Sequence, residues 1–444
     1  MAEHNIRNYG ARGDGTSNDA AAIQRTIDAC AAAGGGRVVV PSGATFLSGT
    51  ITLKDCVELH IERGATLLGS PNPADYTVRL AVGALTGGAL REDAPGMGML
   101  ITADGAQHVA ISGGGIIDGN GRAFIATAGE HIHIMRPWRP FTLFLLGCHD
   151  LLFRDITIRD GALWTLRLSG CDNALIDGIQ IDNDLLLPNN DGIDLDRCRN
   201  IRIQGCHIST GDDAICLKTC EETAAWGDCC ENIVVSGCTL RTRSSALVIG
   251  CEAKSAIRNV IFDSCVITDS NRGLAIHLSE EADVEHVIFS NMIVHTRLFH
   301  EKWWGHGEPI YVVALPWDEQ RGIGRIRHVR FQNIMARSEH GALIYGWQPG
   351  QIEDLVLDNV RLTLDSWSGW QDARQDLRPC PGAQLPLLPT HAITLHHARD
   401  VSIRNVDVAW GEQRPPYFER AFAADTAEDV RVENLRGGDA HERS

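Results

Sequence analysis

The chain has 444 residues, with 40 Lys and Arg against 57 Asp and Glu, for a formal net charge of −17. That balance argues against general nucleic-acid binding and against attraction to an anionic membrane surface, and an acidic substrate would need a local basic patch. No run of about 18 apolar residues occurs, so no membrane-spanning helix is expected, while the length allows two or three ordinary domains or one long repeat domain.

The polar opening Met1-Ala2-Glu3-His4-Asn5 has no apolar segment after it, which predicts no secretory signal and a cytoplasmic location. In that compartment the 14 cysteines, several inside strand-like runs (Cys148, Cys171, Cys216, Cys238, Cys265), are expected to be small buried thiols rather than disulfides. The spacing of Cys220, Cys229 and Cys230 matches no zinc motif. No metal and no cofactor is therefore assigned.

Residues 8–15 are turn-rich and polar. Asn18 or Asp19 can cap a helix over residues 20–33, with Ile23, Ile27 and Cys30 at helical spacing and three glycines from Gly34 to stop it. Short strand signals follow at Val38-Val39-Val40, Ile51-Thr52-Leu53, Val57 to Ile61 and Ala65 to Leu68, and residues 70–98 read as a loop excursion.

From about residue 100 a repeat takes over. An Asn, Asp or His precedes two alternating apolar segments, at His108, Asp150, Asn173, Asn200, Asn232, Asn259, His286, His328, Asp354, Asp400 and Asp429. The period is roughly 20 to 30 residues, and longer intervals hold insertions at 300–307 and 365–389. Period-two strands without helices between them predict a parallel β-helix, because one repeat cannot bury its own apolar face and must stack. The lone helix then covers the open N-terminal end and its sheet edge. The expected organisation is one β-helix domain over residues 1–444, with cap and first rungs to about 100 and regular rungs with insertions to about 440.

The repeat also superposes residues from different rungs. Aligning Leu166, Ile193, Ile215, Leu247, Leu274 and Ile310 places Trp164, Asp191, Asp213, Ser245, Arg272 and Glu308 in one column, with Asp212 beside Asp213. Stacked strands lie about 4.8 Å apart. Like charges at that spacing repel, so a carboxylate cluster is a poor choice for stability alone. It suits glycosidic-bond hydrolysis, which needs one acid for the leaving oxygen and one base for water.

At these residues the chain resembles the polygalacturonase family, glycoside hydrolase family 28. The matching stretches are Asn189-Asn190-Asp191, Gly211-Asp212-Asp213, the N-terminal Gly-Ala-Arg-Gly-Asp-Gly segment, Arg136-Pro137-Trp138-Arg139-Pro140 and Trp164-Thr165-Leu166. The resemblance spans most of residues 5–435. It implies an all-β, right-handed parallel β-helix of the pectate-lyase-like kind and an inverting mechanism, with Asp212 as general acid and Asp191 and Asp213 holding and deprotonating water. Two family motifs are absent. Ser245 stands where the family has its histidine, and Ala275-Ile276-His277 stands for Arg-Ile-Lys.

The substrate-binding candidates are Asn189, Trp164, Arg272, His277, Trp304 and Glu308. Arg272 is available to a uronate carboxylate or to Glu308, and Trp304, with Trp303, to a sugar face. With the insertions walling the groove, the expected partner is a plant-derived oligosaccharide losing one terminal sugar, a uronic one first, with Arg136 or Lys302 assisting. The alternatives are a polysaccharide lyase on the same fold and a non-catalytic sugar-binding β-helix.

Overall fold

In the computed structural model, residues 2–81 and 96–441 are described. The fold is a right-handed parallel β-helix. Its described residues divide into two compact units, the first made of Met1–Asp212 and Cys220–Asp228, the second of Asp213–Thr219 and Cys229–Ser444.

The turn residues explain the repeat. All eleven Asn, Asp and His positions singled out in the sequence have positive φ, between 49° and 60°. Asn, Asp and His tolerate this left-handed region better than other side-chain-bearing residues, so each can turn the chain between strands without glycine. A second series in the second unit, Asn291, Asn333, Asn359, Asn405 and Asn434, has the same conformation. Its side-chain amides bond from rung to rung, as from Asn359 to Asn333 at 2.8 Å and from Asn434 to Asn405 at 2.9 Å.

Strand register puts like residues on like. In the first unit Leu59, Ile111, Phe153, Ile176 and Ile203 are successive parallel partners, all buried. In the second, Phe262, Phe289 and Phe331 stack with centroids 4.8 and 4.9 Å apart, one ring per rung. Alternation along each strand turns every second side chain inward, so the core is a column of aliphatic and aromatic side chains.

The helix Ala20–Ala32 matches the predicted one and buries Ile23, Ile27 and Cys30. Its capping is divided. Asn18 Oδ1 accepts from the Ala20 amide, while Asp19, the N-cap residue, accepts from the amides of Arg12 and Gly13. Gln24 bonds both the amide and the carbonyl of Thr52, which ties the helix to a strand end. In the stretch expected to be a loop excursion, Pro73–Asp75 is a 3-10 turn and Arg79–Leu80 pairs antiparallel with Met97 and Gly98. Residues 82–95 of it lie outside the described residues. Eleven of the fourteen cysteines are buried. Among the described residues no helix is long and apolar enough to cross a membrane.

Candidate active site

The register that defines the site is the one read from the repeat. Leu166 pairs with Ile193 in the first unit. Ile215, Leu247, Leu274 and Ile310 are successive partners in the second, with Ser245 opposite Arg272.

In the first unit, two carboxylates converge. Asp191 and Asp212 bring one oxygen each within 4.8 Å of the other, and Asp191 is only 3% exposed. The chain reaches this arrangement through asparagines that replace missing backbone partners. Asn190, fully buried, accepts the Gly211 and Asp212 amides on its Oδ1 at 2.8 and 3.1 Å and donates to the Asp184 carbonyl. Asn189 has φ 57°, which aims its amide at Asp212 Oδ2, 2.9 Å away. Asn183 donates to the Asn190 carbonyl and to Thr165 Oγ1.

One residue of this frame was not among the sequence candidates. Arg139, 6% exposed, donates to the carbonyls of Ala162 and Pro188 at 3.0 and 2.6 Å and to Asn189 Oδ1 at 2.6 Å. Burial pulls its guanidinium down to about 10, against the attraction of the Asp212 and Asp191 carboxylates. The Arg-Pro run was noticed in the sequence, but Arg136, the arginine named there, is exposed.

Asp213 follows Asp212 directly and belongs to the second unit. Its Oδ1 accepts from Ser244 Oγ at 2.7 Å and from the Ser245 amide at 2.9 Å. The serine pair in place of the family histidine therefore holds a carboxylate. Nearby, Lys218 is paired with Glu252 at 2.8 Å.

The remaining candidates are placed as follows. Trp164 is 3% exposed, packed with Phe141, Phe144, Met97 and Met99 and with the Arg167 guanidinium 4.5 Å from its ring, so its ring serves packing. Arg272 is 1% exposed. Its charge faces Glu308 at 3.7 Å and Asp376 at 3.4 Å, over the Tyr311 ring at 3.7 Å. Of the two partners read for Arg272 in the sequence, the structure supplies Glu308, and Asp376 adds a second. His277 is 4% exposed, with its ring centroid 6.1 Å from Trp304 and 5.6 Å from Tyr311. Burial, and then the Arg272 charge, push its imidazole down to about 3, so it is neutral at ordinary pH. Trp304 is half-buried, Trp303 buried and Lys302 exposed.

The two late insertions pack on each other. Arg378 donates to the carbonyls of Trp303 and Glu301, and Asp376 accepts from the Gly305 amide at 2.5 Å. Leu377 and Cys380 join an apolar cluster that includes Ala275, Tyr311, Val313 and Leu343. Ala275, Tyr311 and Leu343 are successive strand partners one residue past the inward Leu274 and Ile310, which puts them on the outer face of the sheet.

Chemically, a held pair of carboxylates with a third next in the chain can move a proton and orient water. Two carboxylate oxygens this close can also hold a hard cation such as calcium.

This fold with clustered carboxylates is that of a carbohydrate-active β-helix. Glycosyl hydrolases family 28 matches residues 30–296, and the chain belongs to that family. An exo-poly-alpha-D-galacturonosidase of Dickeya chrysanthemi is 28% identical over 256 residues, covering 48% of this chain and 41% of that protein. The chain thus spans less than half the length of this curated relative. Among solved structures, the Yersinia enterocolitica family 28 exopolygalacturonase superposes with a TM-score of 0.70 at 19% identity, over 96% of this chain and 78% of that one. The exopolygalacturonase of Thermotoga maritima gives 0.66 at 22%, over 82% and 87%. At these identities the structural likeness concerns the fold.

Proposed function

We propose that the protein is a glycoside hydrolase that removes a terminal sugar from pectin-type, plant-derived oligosaccharides. Asp212 is the general acid toward the leaving oxygen, and Asp191 and Asp213 hold and deprotonate the water. The observation that carries this reading is the Asp191–Asp212 approach, with Asp212 oriented by the Asn189 amide. Family membership supports the reaction class.

Exo action is supported within the second unit. The segments around 300–308 and 374–380 cover the outer sheet face from Ala275 onward, so a polymer has no straight run along that column. The inverting outcome rests on the family. Inverting carboxyl groups commonly stand about 6.5–9.5 Å apart to leave room for water, and the closest oxygens here are nearer than that. Stereochemistry is therefore measured directly.

Incubation with oligogalacturonides should release monosaccharide from the start, with inverted anomeric configuration by proton NMR. Asp191→Asn, Asp212→Asn and Asp213→Asn should each lose at least about 10²-fold in turnover. Wild-type rates in Asp212→Asn would falsify the role assignment. Products absorbing in the ultraviolet and abolished by chelator would favour the lyase reading, and early mixed-length products would exclude exo action.

A further inference from the structure

One outer sheet face of the second unit carries a charge pattern that hydrolysis does not use. In strand register, Glu231 is followed by Arg258, Glu285, Arg327, Glu353, Arg399 and Glu428. The sign of the charge changes at every rung. From Arg258 to Arg399 each of these residues follows a buried one, Ile257, Val284, Ile326, Ile352 and Ala398, so alternation turns the charges outward. All are half-buried or exposed. Pairing inside the chain accounts for contacts such as Arg258–Glu231 at 2.8 Å, Arg327–Glu285 at 3.0 Å and Arg399–Glu353 at 2.5 Å. It does not account for the whole column, because exposed pairs contribute little to stability and uncharged residues would avoid the same repulsion.

A corner column runs beside the charges. One residue after each charge from Arg258 to Glu428 stands a positive-φ turn residue: Asn259, His286, His328, Asp354, Asp400 and Asp429 in rung order. These too are half-buried or exposed, and the rings of His286 and His328 stack at 4.8 Å. With ladder facing ladder, a twofold axis between two copies takes one of two directions. An axis along the stacking direction keeps the rung order and sets each Glu on the same Glu of the other copy. An axis along the strands reverses the order, and the alternation then sets every charge against its opposite. With that axis midway between the Arg327 and Glu353 rungs, Arg327 meets Glu353, Glu285 meets Arg399 and Arg258 meets Glu428 of the second copy. The corner columns meet in the same register, His328 on Asp354, His286 on Asp400 and Asn259 on Asp429. The neighbouring registers that keep opposite charges together set His286 on His328 or Asp354 on Asp400 instead.

We infer that this ladder face docks a second copy of the chain, antiparallel, about a twofold axis between the Arg327 and Glu353 rungs. The strip is about 24 Å long from Arg258 to Glu428. It is charged and polar throughout, so the dimer is weak and salt-sensitive. The inference does not depend on the glycosidase reading, and its test needs no substrate.

Sedimentation equilibrium on the full-length protein measures the association. The wild type should be dimeric at about 100 μM protein in about 20 mM salt and monomeric in about 0.5 M salt. Arg327→Glu and Glu353→Arg, each alone, place like charges across both contacts nearest the axis and should weaken self-association at least about tenfold. An equal mixture of the two variants should form a heterodimer within about threefold of the wild-type dimer, because each carries the charge the other lacks at both contacts. Mixing repairs no pairing inside a chain, and in the register with His286 on His328 the mixture still opposes like charges. Both side chains are partly exposed, so each variant should fold. Should one fail to fold, Arg258→Glu mixed with Glu428→Arg makes the same test at the outer contacts. A wild type that stays monomeric in low salt, single variants that dimerise as tightly as the wild type, or a mixture no tighter than either variant alone overturns the inference.

Discussion

Arg139→Met isolates what the buried arginine does for the carboxylate pair. In the fold burial pulls its pKa down from the ordinary arginine range to about 10, so at neutral pH the charged form is disfavoured there by about 3 kcal/mol relative to the unfolded chain. The sign is that of a depressed base: the penalty is constant below the folded value of about 10 and is relieved only as pH rises from there toward the ordinary arginine range. Against it stand three charge-assisted hydrogen bonds, to Ala162, Pro188 and Asn189, at about 1.5–3 kcal/mol each. Methionine removes both sides, so the net loss should be about 1.5–6 kcal/mol in urea unfolding. Activity should suffer more than a stability change accounts for. Asn189, which loses its Arg139 contact, is the residue whose amide orients Asp212, and misplacement by about 1 Å can cost about 10²-fold. The fold-loss should fall mainly in kcat. The acid limb of the pH–rate profile should move to higher pH, because a positive charge facing both carboxylates has gone. A folded Arg139→Met protein with wild-type kcat and an unmoved acid limb would refute the positioning role.

Two further predictions concern the scaffold. Phe289 is fully buried between two stacked rings, so Phe289→Ala should cost about 3–5 kcal/mol, read as a fall in Tm without a change in product pattern. Burial opposes ionisation of Asp376, but Arg378 and Arg272 outweigh it and hold the carboxyl below the ordinary range. That lowered pKa contributes stability above the unfolded value, which is lost as pH falls through the folded one. Asp376→Asn should flatten the acid limb of the stability curve and speed proteolysis near residues 300–308; an unchanged limb would show that the 374–380 segment is held by its apolar contacts alone.

The fold was legible because its determinants are local. Each rung announces itself by an Asn, Asp or His that can adopt positive φ, followed by period-two apolar residues, and no distant contact is needed to see either. The site column was legible for a related reason. Once inward Leu and Ile fix the register, residues two positions earlier must superpose, and Ser245 does stand opposite Arg272. Arg139 was not legible as a site residue, because its key partner Asn189 lies 50 positions away in a segment with no repeat signature. The second partner of Arg272 was hidden in the same way. Asp376 sits 104 positions downstream, inside an insertion whose sequence follows no period. Insertions escape the repeat rule, and they supply the wall.

Charge placement separates the two kinds of ion pair in this chain. Ladder pairs such as Arg258–Glu231, Arg327–Glu285 and Arg404–Asp358 join neighbouring rungs at 2.8 to 3.0 Å with substantially exposed arginines. Water screens them and each contributes little. Arg167 is different, with no exposure, Asp196 and Glu222 within 2.9 Å, and aromatic rings of Phe144 and Trp164 over its guanidinium. Arg272 repeats that pattern with two carboxylates and Tyr311. Replacing the arginine and both its carboxylates together by apolar side chains would be about as stable at either place, whereas removing the arginine alone would strand two buried charges. What a buried guanidinium adds is direction: Arg167 Nη2 bonds Asp196 and Glu222 together and Arg272 Nη2 bonds the Asp376 carbonyl, which leaves those neighbours few rotamers. One such guanidinium lies in each unit, and rigid side chains of this kind are what hydrolysis by orientation requires.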